Sequence, residues 1–210
     1  LGIAHEIKNP LNGAMGFAAL LERSPEGASA GRYARSVREG LQRVDEIVRS
    51  LLAFARPDQR RVQAASIRAI VEEAASAAGL PQARVVVECG HELRAESDAL
   101  LRVLAVLFRN ARDAAGDSVR VRIQAQVVGS WLELTVEDDG PGVAAELGDR
   151  VFEPFVSSKP RGTGLGLPLA ARVLGFLGGE VSLLNPGQAG ARFRIRIDRK
   201  STRLNSSHAN

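Results

Sequence analysis

Cysteine, tryptophan, tyrosine and methionine each occur once in the 210 residues, and aromatic side chains make up only 4% of the chain. The single Cys89 excludes an internal disulfide and any CxxC metal site; it reads as a small buried apolar residue, and the composition suits a reducing compartment. So few aromatics leave the core to aliphatic side chains, and 45% hydrophobic residues is enough for a sizeable core in one or two domains. No run of about 18 apolar residues is present, so no membrane contact is expected of this stretch, and no signal peptide is visible. Lysine is scarce as well, at three of 28 basic residues. The net charge is +4, but the arginines are scattered through helices and strands instead of forming a block with interleaved aromatics, so no nucleic-acid partner is expected.

What is present falls into two patterns. From Ile3, the apolar residues Ile7, Leu11, Met15, Ala18 and Leu21 recur at helical spacing, with Pro10 inside the run and Ser24-Pro-Glu-Gly27 ending it. Val37, Leu41, Val44, Val48, Leu51 and Ala55 then alternate in steps of four and three, a heptad seam on a second helix. A hairpin of this size cannot bury both apolar stripes alone, whereas two copies form a four-helix bundle, so a homodimer is expected. The polar break Pro57-Asp-Gln-Arg-Arg61 marks a domain boundary.

Beyond it, helices and strands alternate: Ser66 to Ala78 helical, Arg84 to Glu88 a strand, Ser97 to Ala115 helical. Val119 to Val127 and Leu132 to Val136 alternate around a Gly129-Ser130 turn as a β-hairpin, and Glu180 to Leu184 and Ala191 to Ile197 complete a sheet. An α/β sandwich follows. The chain opens at Leu1 already in helical pattern, and is expected to continue a helix begun upstream. Residues 199–210 are polar, aperiodic and resemble vector-encoded sequence, so they are expected to lie outside the fold.

Four segments carry chemistry. In Phe152-Glu-Pro-Phe-Val-Ser-Ser-Lys-Pro-Arg-Gly-Thr-Gly-Leu-Gly-Leu167, the alternate glycines Gly162, Gly164 and Gly166 let backbone approach a ligand ahead of a helix whose free N–H groups attract anions. Lys159 can reach an outer phosphate from there; the plainer alternative is a Gly-rich turn. On the helix Ser97–Ala115, Asn110 offers an amide oxygen suited to Mg²⁺, or is merely an exposed or capping residue. At the end of a strand, Asp138 can accept a hydrogen bond from an exocyclic amine such as that of adenine, with Gly140 and Gly142 admitting a flat base. Near the start, His5 falls outside the apolar stripe, so its imidazole is expected to face solvent with one nitrogen free as a nucleophile and Glu6 able to take the proton from the other. A surface histidine with no role is the competing reading.

Taken in order, His5-Glu-Ile-Lys-Asn-Pro-Leu11, Asn110 on its helix, Asp138-Asp-Gly-Pro-Gly142, Phe152-Glu-Pro-Phe155 with Lys159, and Gly162-Thr-Gly-Leu-Gly166 resemble the H, N, G1, F and G2 boxes of bacterial sensor histidine kinases, particularly the nitrogen-regulation-like group. The resemblance runs from Leu1 to about Ile197. It implies a dimerisation and phosphotransfer hairpin over 1–57 and, over 58–198, an ATP-binding α/β sandwich of the Bergerat type shared with gyrase, chaperone and mismatch-repair ATPases. By position, it makes His5 the phosphoacceptor and Glu6 its general base, with Glu6 and Asn9 supporting dephosphorylation of the partner. It makes Asn110 the Mg²⁺ ligand and Asp138 the adenine-reading carboxylate. Gly140, Gly142, Gly162, Gly164 and Gly166 become the lid and phosphate glycines, Lys159 the F-box lysine that neutralises phosphate charge, and Thr163 and Leu165 part of the ATP-binding set. The segment between Gly142 and Gly162 is expected to move as a lid.

The function implied is ATP-dependent autophosphorylation of His5, followed by transfer to an aspartate of a separate response regulator, in a cytoplasmic fragment whose sensor lies upstream. Three positions depart from the family pattern: Val106 where an asparagine is usual one turn before Asn110, Asp113 where many members carry a basic residue, and Leu177 in place of a late histidine. Val106 motivates the alternative of a degenerate kinase, acting as a dimeric scaffold or mainly as a phosphatase through Glu6 and Asn9.

Overall fold

The structure, a computed structural model, describes residues 2–25, 27, 29–55, 64–90, 93–159, 162–176 and 178–199. The expected boundary at Pro57 to Arg61, the tail from Lys200 and the departure at Leu177 lie outside the described residues. Two helices open the chain, α1 (Gly2–Arg23) and α2 (Ala30–Ala55), joined by the Ser24-Pro25 break. Helix α1 continues through Pro10. They run antiparallel: Phe17 stacks on Tyr33 with ring centroids 6.2 Å apart, while Pro10 and Ala14 lie opposite Gly40.

This pairing differs from the heptad seam. Tyr33, Gly40 and Ile47 recur at seven-residue spacing on one side of α2, and Ile47 is fully buried, as is Ala14 on α1. Val37 and Val44 of the seam are only half-buried, and Leu41 and Val48 stay exposed, as do Leu11, Met15 and Leu20 on α1. The side chains of Leu51 and Ala55 lie outside the described residues. The physical reason is the missing Cβ of Gly40, which lets α1 approach α2 on the glycine side. The branched residues of the seam are left for another surface.

The remainder is a two-layer α/β sandwich. Strands β2 (Val85–Cys89), β4 (Val121–Val128), β5 (Trp131–Asp138), β7 (Arg192–Asp198) and β6 (Gly179–Leu183) form a sheet in the order β2-β4-β5-β7-β6, antiparallel except for β2 with β4. Helices α3 (Ile67–Ala78), α4 (Ser97–Ala115) and α5 (Gly166–Phe176) complete the second layer. The strand alternation sends Ile123, Leu134 and Ile195 into the core with Ile70, Val103, Leu104, Phe108 and Leu174 of the helices. The opposite face carries ion pairs such as Arg192 with Glu137 at 2.8 Å and Arg196 with Glu180 at 3.2 Å.

A small second sheet was not apparent from pattern. Strands β1 (Ala64–Ser66) and β3 (Arg94–Glu96) pair antiparallel, pinning together the entries to α3 and α4. Three residues are too few to show alternation. Ser66 ends β1 and caps α3, its hydroxyl accepting from the Ala69 N–H at 3.2 Å. At the other end of α3, Arg112 of α4 donates to the Ala78 carbonyl at 2.7 Å and pairs with Asp117 at 3.1 Å, so α4 is tied to α3 by polar contacts as well as by the core.

A Cβ at Gly40 would sit 2.9 Å from both the Ala14 methyl and the Pro10 carbonyl. Gly40→Leu is therefore expected to splay the hairpin and destabilise it by about 1–3 kcal/mol despite leucine's better helix propensity. Thermal unfolding followed by helical circular dichroism checks this.

Candidate functional site

Helix α4 is the spine of the site. Its apolar stripe, Leu100, Val103, Leu104, Leu107, Phe108 and Ala111, is buried in the core, which turns Asn110 and Asp113 toward the loops that follow β5 and precede α5. Two of the segments singled out in the sequence meet this helix at three points in order along its length. Gly166, at the start of α5, lies so close that a Cβ there would be 3.3 Å from a methyl of Val106. Lys159 Nζ donates to the Asn110 carbonyl at 3.1 Å and to Asp113 Oδ2 at 3.4 Å. Gly140 lies against Ala115, where a Cβ would be 3.4 Å from the alanine methyl. From Val106 to Ala115 is about 13 Å of helix.

The strand end is organised around Asp138. Its Oδ1 accepts from the Gly140 N–H at 2.9 Å and the Ala191 N–H at 3.1 Å, and no partner for Oδ2 occurs among the described residues. Burial pushes its carboxyl above the ordinary aspartate range; the Ala191 and Gly140 N–H groups pull it down less strongly, while Asp139 and Glu137 add to the rise. Gly142 has φ +79, and a Cβ there would collide with the Gln188 carbonyl, so only glycine serves at this turn.

The loop before α5 is tied to the aromatic-Pro segment. Phe152 meets Phe193 edge-on at 6.4 Å, which anchors the segment to the sheet. Phe155 takes φ 68, rare for a residue with a side chain, and its N–H donates to the Gly164 carbonyl at 3.0 Å. Gly164, at φ +63, packs so tightly on this backbone that a Cβ would stand 2.5 Å from the Phe155 carbonyl carbon. Gly162 leaves room for the Ser157 hydroxyl and the Lys159 stem; Leu165 is buried and Thr163 half-buried.

The structure thus brings Gly140, Lys159 and Gly166 against α4 on the side of Asn110, with Asp138 and Gly142 in the turn that carries Gly140 and with Gly162 and Gly164 in the loop that carries Gly166. His5 and Glu6 lie in the first turns of α1, with side chains outside the described residues, which is where the expected solvent-facing imidazole falls; Asn9 on the same helix is exposed. Of the departures, Val106 is buried in the core beside Gly166, and Asp113 pairs with Lys159. Sequence reasoning passed over Asn185, whose side chain is buried at 8% exposure and whose neighbours hold Asp138. The Asn-Pro-Gly turn signal was there, but nothing in the pattern tied it to a strand end far earlier in the chain.

Two family models match. One, the histidine kinase-, DNA gyrase B- and HSP90-like ATPase, matches residues 95–201; the other, the His Kinase A (phospho-acceptor) domain, matches residues 2–60. The signal transduction histidine-protein kinase AtoS of Escherichia coli K12 is 32% identical over 203 residues, covering 92% of this chain and 33% of its own length. The sensory histidine kinase/phosphatase NtrB of Rhizobium meliloti is also 32% identical over 203 residues, covering 85% of this chain and 52% of its own. The sensor histidine kinase ZraS of Escherichia coli O157:H7 is 29% identical over 210 residues, covering 96% of this chain and 46% of its own. The chain spans about a third to a half of these relatives.

In solved structures, the fold recurs in Acinetobacter baumannii histidine kinase AdeS, with TM-score 0.70 and 24% identity over 93% of this chain and 98% of that one. It recurs in histidine kinase ThkA in complex with response regulator protein TrrA, with TM-score 0.73 and 21% identity over 95% of this chain and 60% of that one. The sandwich and its gathered loops define an ATPase domain of the kind shared by histidine kinases, gyrase B and HSP90. With a phosphoacceptor region ahead of that domain, the chain belongs to the bacterial sensor histidine kinases. AtoS matches as well as NtrB, so the narrower nitrogen-regulation-like grouping is not distinguished.

The raised carboxyl of Asp138 has a stability consequence. A carboxyl that holds its proton more tightly folded than unfolded costs nothing below its unfolded pKa and costs stability in full above its folded pKa. Asn at this position keeps the Oδ1 acceptor and removes the buried charge. Asp138→Asn is therefore expected to raise the melting temperature at neutral pH, with the gap closing as pH falls through the raised pKa into the ordinary carboxylate range. Paired melting curves across that range test the sign.

Proposed function

We propose that this chain is the catalytic core of an ATP-dependent protein-histidine kinase, with a phosphotransfer hairpin over 1–57 and an ATP-binding domain over 58–198. The observation that carries the reading is the ordered set of three contacts along α4: Gly166 at Val106, Lys159 at Asn110 and Gly140 at Ala115. That span, about 13 Å of helix, suits an extended nucleoside triphosphate. Its phosphates would lie at the start of α5 and its base at Asp138, whose Oδ2 would accept from the 6-amino group of adenine.

Asn110 and Lys159 serve the phosphates. The Asn110 side-chain amide has no partner among the described residues, and no cluster of three or more His, Cys, Asp or Glu that could hold a metal occurs among them. This donor set fits an ion held largely by phosphate oxygens: Asn110 would ligate Mg²⁺, which when bound neutralises phosphate charge. Lys159 is already held beside Asn110 by a backbone carbonyl and by Asp113, so its ammonium is in place for the outer phosphate.

In the reaction, a neutral ring nitrogen of His5 attacks the γ-phosphorus. A P–N bond forms, the bond to the β,γ-bridging oxygen breaks, ADP leaves, and Glu6 takes the proton from the other ring nitrogen. Catalysis here is alignment and charge compensation. A carboxylate oxygen of a response-regulator aspartate then attacks the phosphorus, the P–N bond breaks as a proton returns from Glu6 to the other ring nitrogen so that neutral imidazole leaves, and Glu6 with Asn9 would support later dephosphorylation. The exposed Leu11, Met15, Leu20, Leu41 and Val48 favour a homodimer that covers them in a four-helix bundle. Among the described residues no helix is long and apolar enough to cross a membrane.

Incubation with ATP labelled at the γ-phosphorus tests the proposal. Acid-labile, base-stable label is expected on the chain and is expected to vanish in His5→Gln; label that persists in that variant overturns the role of His5.

Nothing favours a degenerate kinase beyond Val106 itself. At 9% exposure, packed against Gly166, the valine supports the start of α5 by apolar contact. Val106→Asn is therefore expected to lower stability by about 1–3 kcal/mol, the usual penalty for an amide buried without partners, and not to raise autophosphorylation. Melting curves beside label incorporation separate this from the opposite result, in which a regained phosphate contact would speed the reaction.

A further inference from the structure

We propose that Asn185 is a positioning residue for base selectivity: by locking the turn from Asn185 to Gly190, it sets the Ala191 N–H that aims the Asp138 carboxylate at a 6-aminopurine. This rests on the reading of Asp138 as the base-recognising group. Among the described residues Asn185 is the one buried polar side chain, and both ends of its amide are used. Its Nδ2 donates to the Gly190 carbonyl and its Oδ1 accepts from the Arg192 N–H, each at 2.8 Å. The peptide nitrogen between them, that of Ala191, is the one that donates to Asp138 Oδ1 at 3.1 Å. Asn185 therefore brackets the donor that fixes the carboxylate.

The same turn backs the glycines on the other side of the base site. Gly190 N–H donates to the Gly140 carbonyl at 2.8 Å and Gly187 N–H to the Val143 carbonyl at 2.7 Å. A Cβ on Gly190 would stand 2.5 Å from the Asp138 carbonyl oxygen. The loop and the strand end are thus in backbone contact, with no side chain between them to absorb a shift. If the turn relaxes, Asp138 Oδ1 loses one of its two donors, the carboxylate can rotate, and Oδ2 no longer has a fixed direction in which to accept from an exocyclic amine. Contacts to phosphates at the far end of α4 would be untouched.

The experiment compares equilibrium binding of ATP with that of its 6-deamino analogue, purine riboside triphosphate, in the full chain and in Asn185→Ala, Asn185→Asp and Asp138→Asn. Asn185→Asp keeps the acceptor toward Arg192 and places a carboxylate oxygen against the Gly190 carbonyl, which breaks the single bond of interest. Unmodified protein is expected to prefer ATP by about tenfold to hundredfold, the effect of one hydrogen bond to a charged group. Both Asn185 variants are expected to bring that preference to within about threefold of unity while binding the analogue as before. A lack of preference in the unmodified protein overturns the reading of Asp138 and this proposal with it. Preference lost in Asp138→Asn but kept in the Asn185 variants, or affinity for both nucleotides lost in equal proportion, leaves Asp138 as base reader and overturns the role of Asn185. Should the Asn185 variants fail to fold, amide hydrogen exchange in the unmodified chain decides. Gly190 and Ala191 are expected to gain more protection with ATP than with the analogue, and equal protection overturns the proposal.

Discussion

Two backbone N–H groups, those of Gly140 and Ala191, converge on one oxygen of Asp138 at 2.9 and 3.1 Å. They belong to segments some fifty residues apart in sequence, so this shared acceptor joins the end of β5 to the entry of β7 at the point where the site opens. Burial there works against the charge, and the two donors only partly offset it. A carboxylate kept under such conditions is costly to the fold, and its second oxygen has no protein partner among the described residues, the kind of perturbed group that marks a candidate binding site. The glycines around it follow from the same constraint: at Gly142 and Gly190 backbone packs on the backbone of Gln188 and Asp138, and at Gly140 on the Asp138 carboxyl, with no space for a Cβ.

Helix α4 translates that constraint to the other end of the site. Its buried stripe fixes its height over the sheet, and its remaining face meets each loop in turn. Residues that look like departures from the family's pattern acquire ordinary physical roles in this setting. Val106 fills the space under Gly166 that a polar residue would leave poorly packed, and Asp113 gives Lys159 a counter-charge, half exposed and hence modest in energy.

The helical hairpin shows a different economy. Its internal contact uses small or flat surfaces, Gly40 against Pro10 and Ala14, and Tyr33 against Phe17, while the larger aliphatic side chains Leu41, Val48, Leu11 and Met15 remain in water. An arrangement with its small residues inside and its large ones outside presents the kind of apolar face that marks an interaction surface. The periodicity of the heptad seam was visible in the sequence; which partner it faces was not, because the same spacing serves a contact within the chain or between chains.

The long elements were legible because their causes are local. Seven-residue and two-residue alternations, the Ser24-Pro25 break, and the Ser97 to Ala115 stripe declare helices and strands without reference to anything distant, and the order of the boxes announced the ATPase and phosphoacceptor regions. The three-residue strands β1 and β3, the positive φ of Phe155 and the buried amide of Asn185 were not legible, since each exists only through a partner elsewhere in the chain. The sequence by itself determined which groups are available: a histidine, an asparagine, an aspartate, a lysine and glycines in order. Only the tertiary structure decided that Lys159 rests on Asn110 and Asp113, and that Asp138 is held by Ala191. Such distances depend on how sheet and helices close on one another, and no local pattern encodes them.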